Sequence, residues 1–333
     1  MTAIHSYGFG LATENSSGEI IEVYYPHFGL DAGAEFANEI LSCCELQPGE
    51  SGYARLDEAL RERLRAHLGA LASSEKTLVL CVLGADTAPA TVAEAFLKLH
   101  LLSARLVKPH ALNLNGMFGV LHNLAWTNEG PIDLSELPDR QLAARLQGRQ
   151  LSVTSVDKFP KMSDYIVPTG VRIADSARVR LGAYLGEGTT VMHEGFINFN
   201  AGTRGPAMIE GRISAGVMVG ANSDLGGGCS TMGTLSGGGK QVISVGENCL
   251  IGANAGIGIP LANGCVVEAG LYVTAGTKVQ LLNTQGELKR NCKAMDLVGH
   301  EGLLFRRNSL SGAVECLPLQ TEVELNEELH AHN

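Results

Sequence analysis

The chain has 333 residues, with 25 Lys and Arg against 35 Asp and Glu, 45% hydrophobic and 18% charged. A formal net charge of −10 disfavours a nucleic-acid binder, because phosphates would meet repulsion over most of the surface. The apolar content is that of a globular protein, no apolar run reaches the ~20 residues of a membrane-spanning helix, and the lack of Lys and Arg before Arg55 removes the basic region of a targeting peptide. The expected location is the cytoplasm. The eight cysteines have no CxxC spacing and are too sparse for a disulfide framework, so free and mostly buried thiols are expected.

In chain order, residues 1–150 read as a mixed α/β domain. Segments 20–28 (IIEVYYPHF) and 77–84 (TLVLCVLG) are β-branched, aromatic or continuously apolar, as strands are. Leu56, Leu60, Leu64, Leu68 and Leu71 recur at spacings of three and four and predict one helix. Val92, Phe96, Leu99, Leu102 and Leu106 predict a second behind Pro89. Both stripes are read as ordinary core faces.

From Val167 the period changes to six. Val167, Ile173, Val179, Leu185, Val191 and Ile197 keep it, then Ile213, Val219 and Leu225, then Val245, Ile251 and Ile257, then Leu261, Val267, Val273 and Val279. Neither a helix nor a simple alternation has that period. Glycine often follows the aliphatic residue, as in Leu185-Gly186, Val219-Gly220 and Ile251-Gly252, and 23 of the 41 glycines lie between 181 and 280. Each unit therefore predicts a short strand and a corner needing positive φ or close backbone approach. Units stacked at ~4.8 Å predict a parallel β-helix. The phase breaks at 198–212, at 226–244 and, by four residues, at Pro260. An insertion has to leave the coil as a loop, where function commonly sits. Beyond 280 come a linker-like stretch, a hairpin made of LLFRRNS and GAVECLPL around Ser311-Gly312, and a polar helix or tail in NEELHAHN.

Two tempting motifs fail. In Gly237-Gly238-Gly239-Lys240, Thr234 stands where a phosphate loop needs its first Gly and Gln241 follows the Lys, so the run reads as an inserted loop. Only His193 lies in the repeat, whereas a zinc enzyme on this fold needs about three imidazoles. What remains at the first break is Glu210 with Arg212. The carboxylate suits a general base or a nucleophile beside a cation for an anionic group; the bland alternative is a solvated ion pair on a loop. Asp175, Glu187, Asp224 and Glu247 fall at corners and read as solvating residues.

Residues 156 to 311 contain VDKFPKMSDYIVPTGVRIADSARVRLGAY, VMHEGFINFNAGT, MIEGRISAG, DLGGGCSTMGTLSGGG, IGANAGIGI, VVEAGLYVTAGTKV and LLFRRNS. This set resembles the 2,3,4,5-tetrahydropyridine-2,6-dicarboxylate N-succinyltransferases, in the longer branch found in actinobacteria and pseudomonads. The first 150 residues match more loosely, chiefly at LKLHLLSARLVKPH and AWTNEGP. The resemblance implies a succinyl transfer from succinyl-CoA to the amino group of ring-opened tetrahydrodipicolinate, in the diaminopimelate route to lysine. It implies an α/β N-terminal domain (1–150), a left-handed parallel β-helix with acyltransferase loops (151–280), a C-terminal β-hairpin region and tail (281–333), and a homotrimer.

By the same resemblance Glu210 is the catalytic carboxylate, as acyl-anhydride nucleophile or general base. Arg212, Gly227, Ser230, Ala253, Glu268, Ala269, Gly276, Lys293, Arg306, Arg307, Asn308 and Ser309 match positions lining the acyl-CoA site, with Lys293, Arg306 and Arg307 suited to its phosphates. Some relatives bind Mg²⁺ on the trimer axis through the Glu of MHEGF, here Glu194, and an Asp that this chain replaces with Ala177. Within enzymes, the competing expectation is a hexapeptide-repeat acyltransferase with another acyl-CoA or amine acceptor. Outside them it is a non-catalytic trimeric scaffold, which has no need of Glu210, the FRRNS run or the insertions.

Overall fold

The computed structural model describes residues 4–235 and 242–319, so Gly237–Lys240 and the NEELHAHN end lie outside the described residues. The chain divides into two compact units, Met1–Leu101 with Ala111–Pro160 and Leu102–His110 with Lys161–Asn333. Among the described residues no helix is long and apolar enough to cross a membrane. All eight cysteines are free, and six are buried.

The first unit is mixed α/β. Its antiparallel sheet runs in the order Ile20–Leu30, Ser6–Glu14, Leu78–Leu83, Gly52–Arg55. Leu78–Leu83 is buried at every residue, as a continuously apolar strand should be. Leu78, Leu80 and Val82 join Ile40, Leu64 and Leu68 in one core cluster. The leucine stripe is not one helix, however. It breaks into Glu58–Arg63, Arg65–Leu68 and the 3₁₀ turn Gly69–Ser73, with Gly69 at φ 55 ending the second piece, yet Leu56, Leu64, Leu68 and Leu71 all stay buried. The second expected helix forms as Val92–Ser103; Leu106 lies past its end and is 44% exposed, because the chain turns at Arg105 with φ 62.

In the second unit each full coil gives one strand to each of three sheets. The first face stacks Arg172–Ile173, Thr189–Val191, Ala207–Ile209, Ser223–Leu225, Leu250–Ile251 and Val266–Val267. The second stacks Phe196–Ile197, Arg212–Ile213, Ser230–Thr231, Gly256–Gly258 and Tyr272–Thr274; the third stacks Tyr184–Leu185, Gly202–Thr203, Met218–Val219 and Ser244–Val245. All these pairs are parallel, so the expected parallel β-helix is present.

The six-residue phase runs further than its aliphatic residues indicate. Thr203 and Thr231 hold inward positions and are buried, so no loop leaves the coil at 198–212. The Thr203 hydroxyl stays satisfied inside the coil by Thr189 Oγ1 at 2.6 Å and the Gly186 N–H at 3.2 Å. The phase instead shortens between the buried Ile209 and Ile213, as it does between Ile257 and Leu261. The second break keeps phase to Thr231, so its extra residues lie between Thr231 and Val245. Val167, expected as the first inward residue, is 68% exposed and precedes the first coil. Close approach explains the glycine after the aliphatic: a Cβ on Gly252 would lie 2.4 Å from Ala269 N in the next coil.

The stretch just past 280 is no linker. Lys278–Leu282 pairs antiparallel with Leu288–Lys293, and the expected hairpin forms from Leu303–Arg307 and Val314–Pro318, its first strand lying parallel to Val266–Val267. Residues 102–110 are fastened to the first coils through polar contacts. The Gly182 N–H donates to Ser103 Oγ at 2.8 Å, Ser103 donates to the Ala183 carbonyl, and Arg105 donates to the Leu185 and Thr169 carbonyls.

Candidate active site

Glu210 and Arg212 sit on the shortened turn between the first and second faces, not on an inserted loop. Only Glu210, Gly211 and Arg212 separate the inward Ile209 and Ile213, so the turn is tight and pinned to the next coil. The Glu210 N–H donates to Leu225 O at 2.8 Å, and the Arg212 N–H donates to Cys229 O at 2.9 Å. Gly211 is dictated by that approach, since a Cβ there would lie 2.3 Å from Cys229 Sγ. The half-buried Glu210 carboxylate faces Gly227, where an added Cβ would stand 3.4 Å from Oε2. Among the described residues neither the Glu210 carboxylate nor the Arg212 guanidinium has a hydrogen-bond or ion-pair partner, so they are not the solvated ion pair that was the bland alternative. Burial pushes the neighbouring Cys229 thiol up to about 12, which leaves the carboxylate and not the thiol as the available nucleophile or base.

The other expected site residues follow the same edge. The Asn254 N–H donates to Gly227 O and the Gly270 N–H to Ala253 O, both at 2.8 Å, which stacks Gly227, Ala253 and Ala269 in successive coils. This strip of small residues ends at Glu268, whose carboxylate accepts the Arg307 N–H at 2.6 Å. Four coil steps at ~4.8 Å separate the levels of Glu210 and the hairpin, roughly 19 Å in all. Beside the strip, Arg212, Ser230, Gly256 and Tyr272 are in register on the second face.

On the hairpin, Arg306 is less available than expected. Its Nε and a terminal nitrogen both lie 2.9 Å from Oε2 of the buried Glu315, and Asn308 donates to the other oxygen at 2.7 Å. Asn308 first, and then Arg306, hold the Glu315 carboxyl below its usual range. Arg307 donates to Gly312 O, Asn308 Oδ1 accepts the N–H groups of Leu310 and Ser311, and Ser309 is exposed at the tip. Lys293 and Gly276 belong to a different turn, joined by the Ala294 N–H to Thr277 O bond of 2.9 Å. The Lys293 ammonium has no carboxylate partner among the described residues.

Among the described residues of the single chain, Glu194 gathers no metal-binding group. Its side chain is 63% exposed, its one ionic neighbour is His193 Nε2 at 3.6 Å, and the described residues contain no group of three His, Cys, Asp or Glu side chains able to hold an ion. Ala177 offers no side-chain ligand, so of the two carboxylates expected there only that of Glu194 is present. Sequence reasoning passed over Tyr272 and Cys229. The signal for both is the coil register, which sets Tyr272 beneath Gly256 and Cys229 beneath Gly211.

Three family models match: "Tetrahydrodipicolinate N-succinyltransferase N-terminal" over residues 54–119, "Tetrahydrodipicolinate N-succinyltransferase middle" over 121–161, and "Hexapeptide repeat of succinyl-transferase" over 242–275. The 2,3,4,5-tetrahydropyridine-2,6-dicarboxylate N-succinyltransferase of Pseudomonas paraeruginosa is 59% identical, over 99% of both chains. The Vibrio cholerae protein of the same name is 55% identical, over 99% of this chain and all of its own. A crystal structure from Campylobacter jejuni, given the provisional description of a 2,3,4,5-tetrahydropyridine-2-carboxylate N-succinyltransferase, superposes with a TM-score of 0.87 at 31% identity, covering 97% of this chain and 94% of that one. Fold and edge together define a transferase built on hexapeptide repeats. The chain belongs to the tetrahydrodipicolinate N-succinyltransferase family of enzymes.

Proposed function

We propose that this enzyme moves the succinyl group of succinyl-CoA onto the amino group of ring-opened tetrahydrodipicolinate, in the diaminopimelate route to lysine. Its setting is a cytoplasmic homotrimer of left-handed β-helices. The observation that carries this reading is the uncommitted Glu210 carboxylate beside an uncommitted Arg212, at the head of a strip of small residues. The roughly 19 Å from the level of Glu210 to that of the hairpin is the scale of an extended pantetheine arm. The thioester then lies at Glu210 and the phosphates near the hairpin of Leu303–Arg307 and Val314–Pro318 and the neighbouring Lys293, where Lys293 and Arg307 supply charge.

Two routes use the carboxylate. As a base, Glu210 takes the proton of the attacking amine while the C–N bond forms, then gives it to the departing CoA sulfur as the C–S bond breaks. As a nucleophile, it displaces CoA thiolate to give a mixed anhydride, which the amine opens to the amide as its proton passes to the thiolate, returning the carboxylate. Arg212 is placed for the free carboxylate of the succinyl group. An assay of CoA release over a series of acyl donors tests the reading, with succinyl-CoA expected to lead. Equal or faster release from acyl groups without a terminal carboxylate would replace it with a different donor.

A further inference from the structure

Tyr272 stands on the second face, in register with Gly256, and its ring lies along that face instead of reaching into solvent. A Cβ on Gly256 would sit 2.1 Å from the ring Cε2, 2.3 Å from Cδ2 and 2.6 Å from Cζ, so the glycine is a cradle for the phenol. Across that cradle the Tyr272 hydroxyl comes to 3.3 Å from Ser230 Oγ, spanning one complete coil. Ser230 is buried, lies in register with Arg212, and follows the Cys229 carbonyl that holds the Glu210 turn.

Holding a residue that is 43% exposed in one orientation costs conformational entropy. What the phenol adds is direction. A serine hydroxyl has one proton and two acceptor sites, so when the phenol is the donor of this pair the serine's own proton is left for a ligand in the groove.

Resting on the donor site proposed above, we infer that Tyr272 is a positioning residue that aims the Ser230 hydroxyl at an amide carbonyl of the pantetheine arm of the acyl-CoA donor. The full-length wild type is compared with Tyr272→Phe, Ser230→Ala, their double variant and Gly256→Ala, by calorimetric binding of CoA and by KM for succinyl-CoA. Each single change is expected to weaken CoA and raise KM by about three- to tenfold, the effect of one neutral hydrogen bond, with kcat little changed. The double variant loses no more than either single one, and Gly256→Ala gives the same loss with the tyrosine still present.

Tyr272→Phe keeps the packing of the ring, so wild-type affinity in that variant, or additive losses in the double, overturns the inference. If Gly256→Ala does not fold, the other three variants decide. A wild-type protein that binds CoA without releasing it from succinyl-CoA overturns the proposed reaction, and the Tyr272–Ser230 coupling is still read in Kd. Failure of the wild type to bind CoA overturns both.

Discussion

Two turns of the β-helix lose the same two residues and carry opposite contents. Ile209 to Ile213 passes through Glu210, Gly211 and Arg212, with two charged side chains facing outward. Ile257 to Leu261 passes through Gly258, Ile259 and Pro260, with Gly258 and Ile259 buried. The first joins the first face to the second, and the other joins the second to the third. Shortening a turn is therefore a property of the coil that apolar residues satisfy as well as charged ones. The charged turn lies on the edge whose later coils present Gly227, Ala253 and Ala269, which is where the proposed chemistry falls.

The largest separation expected is between function and stability at these two turns. Glu210→Gln keeps shape and removes ionisation, so kcat should fall at least ~10²-fold with unfolding midpoint and CoA binding unchanged. Ile259→Ala should cost about 2–5 kcal/mol of stability while each folded molecule keeps its kcat. Denaturant titration with parallel activity measurements reads both. More than about a tenth of wild-type kcat in Glu210→Gln would remove the catalytic assignment.

Gly211→Ala should fall between the two. Its Cβ would meet Cys229 Sγ at 2.3 Å and the Cys229 carbonyl oxygen at 2.6 Å, so the turn has to move. Overpacking of this kind costs about 1–3 kcal/mol. Because Glu210 moves with the turn, kcat is expected to drop as well. Adding Cys229→Ala removes the thiol clash but leaves the carbonyl, and should restore part of the stability. Unchanged unfolding and turnover in Gly211→Ala would show that the turn is looser than its contacts indicate.

The repeat was legible because aliphatic residues mark most inward positions. It was misread where the inward residue is a threonine: Thr203 and Thr231 are polar letters whose hydroxyls are satisfied inside the coil, so a continuous phase looked like an insertion at 198–212. Leu106 and Val167 erred the other way, matching a period after or before the element that gives it meaning. Glu210 and Arg212 stood out as chemistry without a fold. Arg306 looked like a free cation because its partner is fixed by hairpin pairing, which sets it opposite Glu315. Tyr272 was passed over because its neighbours lie in other coils, so only the coil register sets it beneath Gly256.

That pairing separates the two basic residues at the far end of the strip. Lys293→Ala removes an ammonium with no carboxylate partner among the described residues, so it should raise the KM for succinyl-CoA a few-fold and flatten its rise with salt, as expected of contacts screened over ~10 Å at 0.1 M. Arg306→Ala removes a charge already spent on Glu315 and leaves a buried carboxylate short of a donor. Its larger effect should be on the hairpin, a loss of stability relative to wild type that is full above the carboxylate range and shrinks as pH falls and Glu315 is protonated in both proteins. Equal salt slopes in wild type and Lys293→Ala would move the phosphate contact elsewhere.

The smallest effect expected is none, and it concerns the full-length turn one coil before Glu210. There the Met192 N–H donates to Ile209 O at 2.9 Å, so Glu194 and Glu210 belong to one edge of the coil. Glu194 is largely solvated, is joined by His193 at 3.6 Å, and has Ala177 where a second carboxylate would be needed. In the proposed trimer, Ala177 in place of a second carboxylate leaves less negative charge to gather a cation, while solvent and His193 temper the repulsion among the three glutamates. The trimer should therefore keep its mass by light scattering in EDTA and keep its kcat. Dissociation in chelator, or activity lost there and restored by Mg²⁺ but not by matched ionic strength, would show that this turn, and not only the shortened one beside it, is a working part of the enzyme.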